Sequence, residues 1–138
     1  MGDTFQYAIF IEAGLEESIV LKLTLEPLVE NSFKHGFPQS QENKQITIRC
    51  YLKDESIIMD CLDNGVGIDK DTVNRLLQSK EEQSSYALKN VHNRIKNAFG
   101  NPYGIEILEV ESGAGVRIKI PWMKDKGKLN QLIEGAGS

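Results

Sequence analysis

The sequence predicts an α+β fold, a two-layer sandwich in which about three helices cover one face of a mixed, mostly antiparallel β-sheet. The first observation is the order of hydrophobic patterns along the chain: strand, helix, hairpin, short helix, loop, helix, hairpin. The second is that hairpins place consecutive strands side by side in opposite directions. The third is the length of 138 residues, of which 40% are hydrophobic, enough for one buried core.

Strands are predicted where apolar residues alternate with polar ones or form short apolar runs. The clearest alternation places Ile46, Ile48, Cys50 and Leu52 on one face of a strand. Residues 53–55 read as the turn of a first hairpin, and the glycines of 112–115 as the turn of a second. The predicted strands are 5–11, 45–53, 56–62, 105–111 and 116–120.

Helices are predicted where apolar residues recur at three- and four-residue spacing. Residues 24–35 carry such a stripe and end at Gly36 and Pro38. Asp69 is a suitable N-cap for a short helix, and residues 87–99 form a longer one. The apolar positions of these three helices are Leu25, Leu28, Val29, Phe33, Val73, Leu76, Leu77, Leu88, Val91, Ile95 and Phe99.

Composition excludes several classes of protein. A net charge of −4 argues against a nucleic-acid binder, which needs a basic surface. No apolar run approaches the roughly 20 residues of a membrane-spanning helix. Cys50 and Cys61 lie in apolar strands and are expected to be reduced core residues of a cytoplasmic protein. The Lys- and Gly-rich residues 123–138 are expected to form a flexible tail after a single domain over 1–122.

Polar residues of the first helix form one candidate site. Glu30, Asn31 and Lys34 lie opposite the apolar stripe, within about one turn of each other. An amide oxygen suits Mg²⁺, an ammonium suits a phosphate, and a carboxylate can act as a base. The alternative is an ordinary solvated helix face.

The segment Asp63-Asn64-Gly65-Val66-Gly67 forms the other candidate site, directly after a buried strand. Two glycines allow a flat ring to approach the backbone, because no Cβ stands in the way. An aspartate at the strand end can accept a hydrogen bond from an exocyclic amine. The alternative is a plain turn, for which Asp-Asn-Gly is strong chemistry.

Together the motifs resemble the LytS/YesM-type bacterial sensor histidine kinases. Residues 25–36 (LEPLVENSFKHG) resemble their N box, and residues 63–68 (DNGVGI) resemble their G1 box. Residues 86–95 (YALKNVHNRI) are similar to the segment around their G2 box, and residues 112–121 to their closing hairpin. The resemblance implies the Bergerat ATP-binding fold of the GHKL ATPases.

The resemblance also implies roles for individual residues. Asn31 would bind Mg²⁺, Glu30 would be the candidate catalytic base, and Lys34 would face the ATP phosphates. His35 would be a structural residue or a neighbour of the nucleotide. Asp63 would accept a hydrogen bond from the adenine amine, and Gly65 and Gly67 would give the ring room. Residues 80–85 would form the ATP lid. The helix after the lid would present an N-terminus suited to an anion, with these cofactor-binding candidates: Leu88, Lys89 and Asn90.

The implied activity is transfer of the ATP γ-phosphoryl group to a histidine on an upstream dimerisation domain, followed by signalling to a response regulator. The parent protein would be membrane-anchored, with this domain in the cytoplasm. The histidines present are His35 and His92; neither is expected to accept phosphate, and His92 is expected to lie on the surface. The domain alone is therefore expected to bind ATP without autophosphorylating.

Two departures from the family pattern keep alternatives open. Ser85 and Ala87 stand where the family often has glycine. A methyl group at residue 87 would cost about 1–2 kcal/mol if φ must be positive there. One alternative is therefore a degenerate nucleotide-binding module that acts through protein contacts. The other is a different GHKL protein, either a serine kinase or an ATPase.

Overall fold

A computed structural model describes residues 4–15, 28–29, 37, 42–67, 69–80 and 87–122. The strands are β1 (Thr4–Ile11), β2 (Asn43–Lys53), β3 (Ser56–Asp63), β4 (Gly104–Leu108) and β5 (Ala114–Pro121). The helices with complete bounds are α1 (Lys70–Gln78) and α2 (Ala87–Phe99). Residues 28 and 29 are also helical, as predicted for 24–35. Within these ranges no helix is long and apolar enough to cross a membrane.

The five strands form one mixed sheet in the order β1-β2-β3-β5-β4. β1 and β2 are parallel, and the other three pairs are antiparallel. The predicted α+β class, a mostly antiparallel sheet with helices on one face, is confirmed. β4 ends at Leu108 rather than at the predicted residue 111, because residues 109–111 are exposed and gain no burial by extending the ladder.

The core lies between the helices and one face of the sheet. Ile46, Ile48 and Cys50 of β2 are each 1% exposed, which confirms the predicted alternation. Leu28 is equally buried and belongs to the same core, so the helical residue 28 packs on this face. Both cysteines are buried free thiols, as predicted. Burial, reinforced by Glu12, raises the pKa of Cys50 to about 11, so this thiol stays protonated and unreactive at neutral pH.

The opposite face of the sheet carries a partly buried ion pair. Asp60 of β3 lies opposite Arg117 of β5 in the register, and Arg117 donates to both of its carboxylate oxygens, at 2.7 and 3.0 Å. The Tyr51 hydroxyl donates to the same carboxylate at 3.0 Å. These donors compensate the desolvation of a carboxylate on β3, the central strand of the sheet.

The expectation that His92 lies on the surface is wrong. Its side chain is 7% exposed, and Nδ1 accepts a hydrogen bond of 2.9 Å from the backbone N–H of Ile105. Leu88, His92 and Ile95 are spaced for one face of α2, so His92 continues the apolar stripe. A Cβ at Gly104 would lie 2.8 Å from the imidazole, so β4 and α2 are in close contact here.

Burial of His92 predicts a stability that falls in acid. Desolvation, assisted by the positive charges of Lys96 and Lys89, lowers its pKa from 6.5 to about 4. The unfolded chain therefore binds more protons between these values, and stability present above pH 6.5 is lost as the pH falls towards 4. We expect a loss of about 1–2 kcal/mol, allowing for partial screening by solvent. Denaturant unfolding at pH 7 and pH 4.5 measures this loss as a difference in the free energy of unfolding. His92→Gln should remove the part of this pH slope that comes from His92. An unchanged slope in that variant would exclude His92 as its source.

Candidate nucleotide-binding site

Asp63 is the last residue of β3 and lies where the predicted base-binding carboxylate was expected. It follows Met59 and Cys61 in the alternation of β3, so its side chain leaves the sheet on the face covered by helices. It is half-buried, and its Oδ1 accepts a hydrogen bond of 2.9 Å from the N–H of Gly65. The strand end thus presents an oriented carboxylate at the boundary between the sheet and the helix layer.

The loop after Asp63 is built on close backbone contacts. Gly67 has φ +95°, a conformation that side chains disfavour, and a Cβ there would lie 3.1 Å from the carbonyl oxygen of Gly113. Gly113, at φ +78°, precedes β5, and a Cβ there would collide with the carbonyl oxygen of Asp63. The glycine at 67 is therefore needed for the loop's own path. The predicted role of Gly65 and Gly67 in giving a ring room stays a prediction.

The loop then enters α1 through a capped turn. The Asp69 carboxylate accepts bonds from Thr72, at 2.7 Å from the hydroxyl and 3.4 Å from the backbone N–H. Both bonds lower the pKa of Asp69, and the bond from the hydroxyl has the larger effect. The predicted N-cap is confirmed. The fixed start of α1 anchors the far end of the loop that carries Asp63.

The first turn of α2 holds three predicted cofactor-binding residues in different environments. Leu88 is 0% exposed and packs in the core, so its side chain does not face a ligand. Lys89 is 1% exposed, and its Nζ donates to the carbonyl oxygens of Leu77 and Ser79, both at 2.6 Å. Asn90 is exposed. In this conformation the charge of Lys89 is therefore used to cap the C-terminal end of α1, a contact that sequence spacing did not indicate.

The predicted phosphate and metal side of the site lies largely outside the described residues. This holds for Glu30, Asn31, Lys34 and His35, for residues 81–86, and for the tail at 123–138. Of the first helix, only the positions of Leu28 and Val29 are described, and Leu28 is buried. No group of three His, Cys, Asp or Glu residues suited to a metal ion occurs within the described ranges. The Mg²⁺ site stays a prediction resting on Asn31.

Comparison with known proteins finds relatives by sequence and solved structures of similar fold. The chain is 27% identical to the sensor protein LytS of Bacillus anthracis over 97% of its length, and 31% identical to LytS of Bacillus subtilis over 84%. These matches span 23% and 20% of the relatives, so the chain covers about a fifth of their length. Its fold matches the nucleotide-free catalytic domain of histidine kinase ThkA with a TM-score of 0.62 and 16% identity, covering 85% of this chain and 79% of that one.

A family model supplies the assignment. The model for histidine kinase-, DNA gyrase B- and HSP90-like ATPases matches residues 16–125, which include both candidate motifs and all of the sheet except β1. The aspartate at the end of β3 and the glycines after it lie inside this match. With the match, the fold and the LytS relatives in agreement, the chain belongs to the histidine kinase-, DNA gyrase B- and HSP90-like ATPases.

Proposed function

We propose that this chain binds ATP with Mg²⁺ and presents its γ-phosphoryl group to a histidine on an upstream dimerisation domain of a sensor kinase. Family membership implies the ATP-binding part of this statement, and the LytS relatives favour the two-component setting. Phosphoryl transfer depends mainly on positioning and on neutralising charge. A neutral imidazole is already a nucleophile, so the demand on Glu30 as a base is modest.

The observation that carries the proposal is the placement of Asp63. Its carboxylate ends β3 on the helix-covered face, and the Gly65 N–H occupies Oδ1 at 2.9 Å. Two carboxylate oxygens offer about four acceptor positions, so an exocyclic amine of a purine can still be accommodated. These acceptor positions fit adenine, whose exocyclic amine is a donor.

The phosphate side rests on residues outside the described ranges and on α2. We assign Mg²⁺ to Asn31 and a phosphate contact to Lys34, with His35 as a neighbour of the nucleotide. When bound, Mg²⁺ would neutralise phosphate charge at this end of the nucleotide. The side chains of Leu88 and Lys89 are buried, so a phosphate at the N-terminus of α2 would be contacted by backbone N–H groups.

The proposed partners follow from the same setting. The dimerisation domain would supply the accepting histidine, and a response regulator would receive the phosphoryl group. A membrane-anchored parent protein would place this domain in the cytoplasm. We propose no nucleic-acid partner, and we expect no autophosphorylation by the domain alone.

A degenerate module that signals only through protein contacts is the second candidate. The buried, internally bonded Lys89 favours it, because one predicted phosphate ligand is engaged elsewhere. Calorimetric titration of the domain with a non-hydrolysable ATP analogue, with and without Mg²⁺, separates the two. Binding that Mg²⁺ strengthens supports the kinase domain. Absence of heat and of any thermal shift at millimolar nucleotide supports the degenerate module.

Asp63→Asn should weaken binding of the ATP analogue roughly 5- to 150-fold, the equivalent of about 1–3 kcal/mol. The asparagine keeps an oxygen for the Gly65 N–H but turns an amino group towards the adenine amine, so two donors face each other. The same titration measures the loss. Asp54→Asn, in the exposed β2–β3 turn, makes the same chemical change away from the site and should bind like the original. Unchanged affinity in Asp63→Asn would remove Asp63 from the site.

A further inference from the structure

Asn64, between the candidate base-binding aspartate and the first glycine, is bonded to the start of β2. Its Oδ1 accepts a hydrogen bond of 2.8 Å from the N–H of Gln45, and its Nδ2 donates to the carbonyl oxygen of Asn43 at 2.9 Å. Its backbone N–H donates to the carbonyl oxygen of Gln45 at 3.2 Å. Three bonds therefore join one residue of the loop to two residues of β2.

The geometry continues the β2–β3 ladder past its end. The last register pair is Ile46 with Asp63, and beyond it the side-chain amide of Asn64 takes the place of a peptide group. An amide supplies one donor and one acceptor, which is the pattern a strand presents to its neighbour. Asp63 lies between the last pair of the β2–β3 ladder and this attachment, so its backbone is held on both sides, and the Gly65 N–H bonds its Oδ1.

The attachment commits the amide at 64 to β2. Its oxygen and its nitrogen each bond a backbone group there, so we assign base recognition to Asp63 and positioning to Asn64. The Asp63 carboxylate must point at the base amine, because hydrogen bonds weaken steeply with misalignment. A loop that could slide along β2 would leave Asp63 present but wrongly aimed.

We propose that Asn64 is a positioning residue for base recognition: its side-chain amide fixes the loop to β2 and so sets the direction of the Asp63 carboxylate. This inference rests on the proposed function, in which Asp63 accepts from the adenine amine. It predicts that losing the amide will reduce selectivity for adenine more than it reduces binding of the rest of the nucleotide.

The first measurement needs no nucleotide. Asn64→Ala removes both side-chain bonds, and Asn64→Asp keeps an acceptor for the Gln45 N–H but places a carboxylate against the Asn43 carbonyl. In Asn64→Ala, amide hydrogen exchange at Gln45 and Gly65 should speed up at least tenfold, and in Asn64→Asp exchange at Gly65 should do so, while exchange in β5 stays unchanged in both. Asn97→Asp makes the same chemical change at an exposed position of α2 and should alter neither amide. Unchanged protection of Gly65 in Asn64→Ala would overturn the positioning role.

The second measurement compares an ATP analogue with its purine counterpart lacking the 6-amino group. The original chain should prefer the amino form, and in Asn64→Asp this preference should shrink at least fivefold while the ratio of ADP to AMP affinity is kept. An equal loss for all nucleotides would overturn the positioning role and indicate general destabilisation. If the original chain binds both purines equally, or neither, the proposed function fails instead, whereas the exchange result at Gly65 still decides whether Asn64 fixes the loop.

Discussion

Gly113→Ala is expected to destabilise the domain by about 2–5 kcal/mol. The residue has φ +78°, which costs an alanine about 1–2 kcal/mol. The added Cβ would also collide with the carbonyl oxygen of Asp63 and lie 2.9 Å from its carbonyl carbon and 3.1 Å from the Cα of Asn64. These are backbone atoms at the end of β3 and just after it, so relief requires β3 and β5 to move apart here, at an overpacking cost of about 1–3 kcal/mol.

The matched control for this variant is Gly100→Ala. Gly100 has a similar φ of +72°, but nothing lies within 4 Å of an added Cβ. It should therefore lose only the conformational part, about 1–2 kcal/mol. Denaturant unfolding of both variants gives the free energies of unfolding, and their difference isolates the contact between residues 113 and 63. Equal losses would mean that the backbone of the Asp63 loop is not held by Gly113.

Gly113→Ala should also weaken nucleotide binding at the candidate site. Gly113 contacts the peptide group that carries Asp63, and its carbonyl oxygen lies close to Gly67, so displacement here moves both ends of the loop. Nucleotide affinity of folded Gly113→Ala should fall, whereas Gly100→Ala, at the end of α2, should keep the original affinity. The comparison separates a loss of folded protein from a loss of geometry.

Much of the fold follows from local pattern. The alternation in β2 and the spacing in α2 mark their elements because side chains of one face repeat every two or every three to four residues. Strand order does not follow from such patterns. The parallel pairing of β1 with β2, and the position of β5 between β3 and β4, depend on contacts between distant segments. Local periodicity carries no information about which strands will be neighbours.

Of the candidate site, too, only part could be predicted from the sequence. Asp63 was expected at a strand end because a buried run stops there, and the structure places it at the end of β3. The bonds of Asn64 reach 19 and 21 residues back along the chain, and those of Lys89 reach 10 and 12. A motif identifies residue types suited to a ligand, but it does not show that an internal partner already uses them. His92 was misplaced for the related reason that polarity was given more weight than its position in the apolar stripe.

Lys89→Met is expected to destabilise the domain by about 3 kcal/mol or more. The ammonium is buried and bonds two carbonyl oxygens at the C-terminal end of α1, where the helix dipole favours a positive charge. Bonds to a charged group contribute about 1.5–3 kcal/mol each, and methionine keeps the bulk while leaving both oxygens without this donor. Denaturant unfolding measures the loss. Lys53→Met, on an exposed residue at the end of β2, should lie within about 0.5 kcal/mol of the original.

A phosphate ligand and a structural clamp at residue 89 predict different binding data. If Lys89 contacts phosphate, Lys89→Met should reduce the ratio of ATP to adenosine affinity and leave stability nearly unchanged. If it clamps α1 to α2, stability should fall and the ratio should change little once the folded fraction is taken into account. The buried ammonium with two bonds of 2.6 Å favours the clamp. An intact free energy of unfolding together with a collapsed ATP-to-adenosine ratio would return Lys89 to the phosphate site, and would mean that its side chain leaves α1 when nucleotide binds.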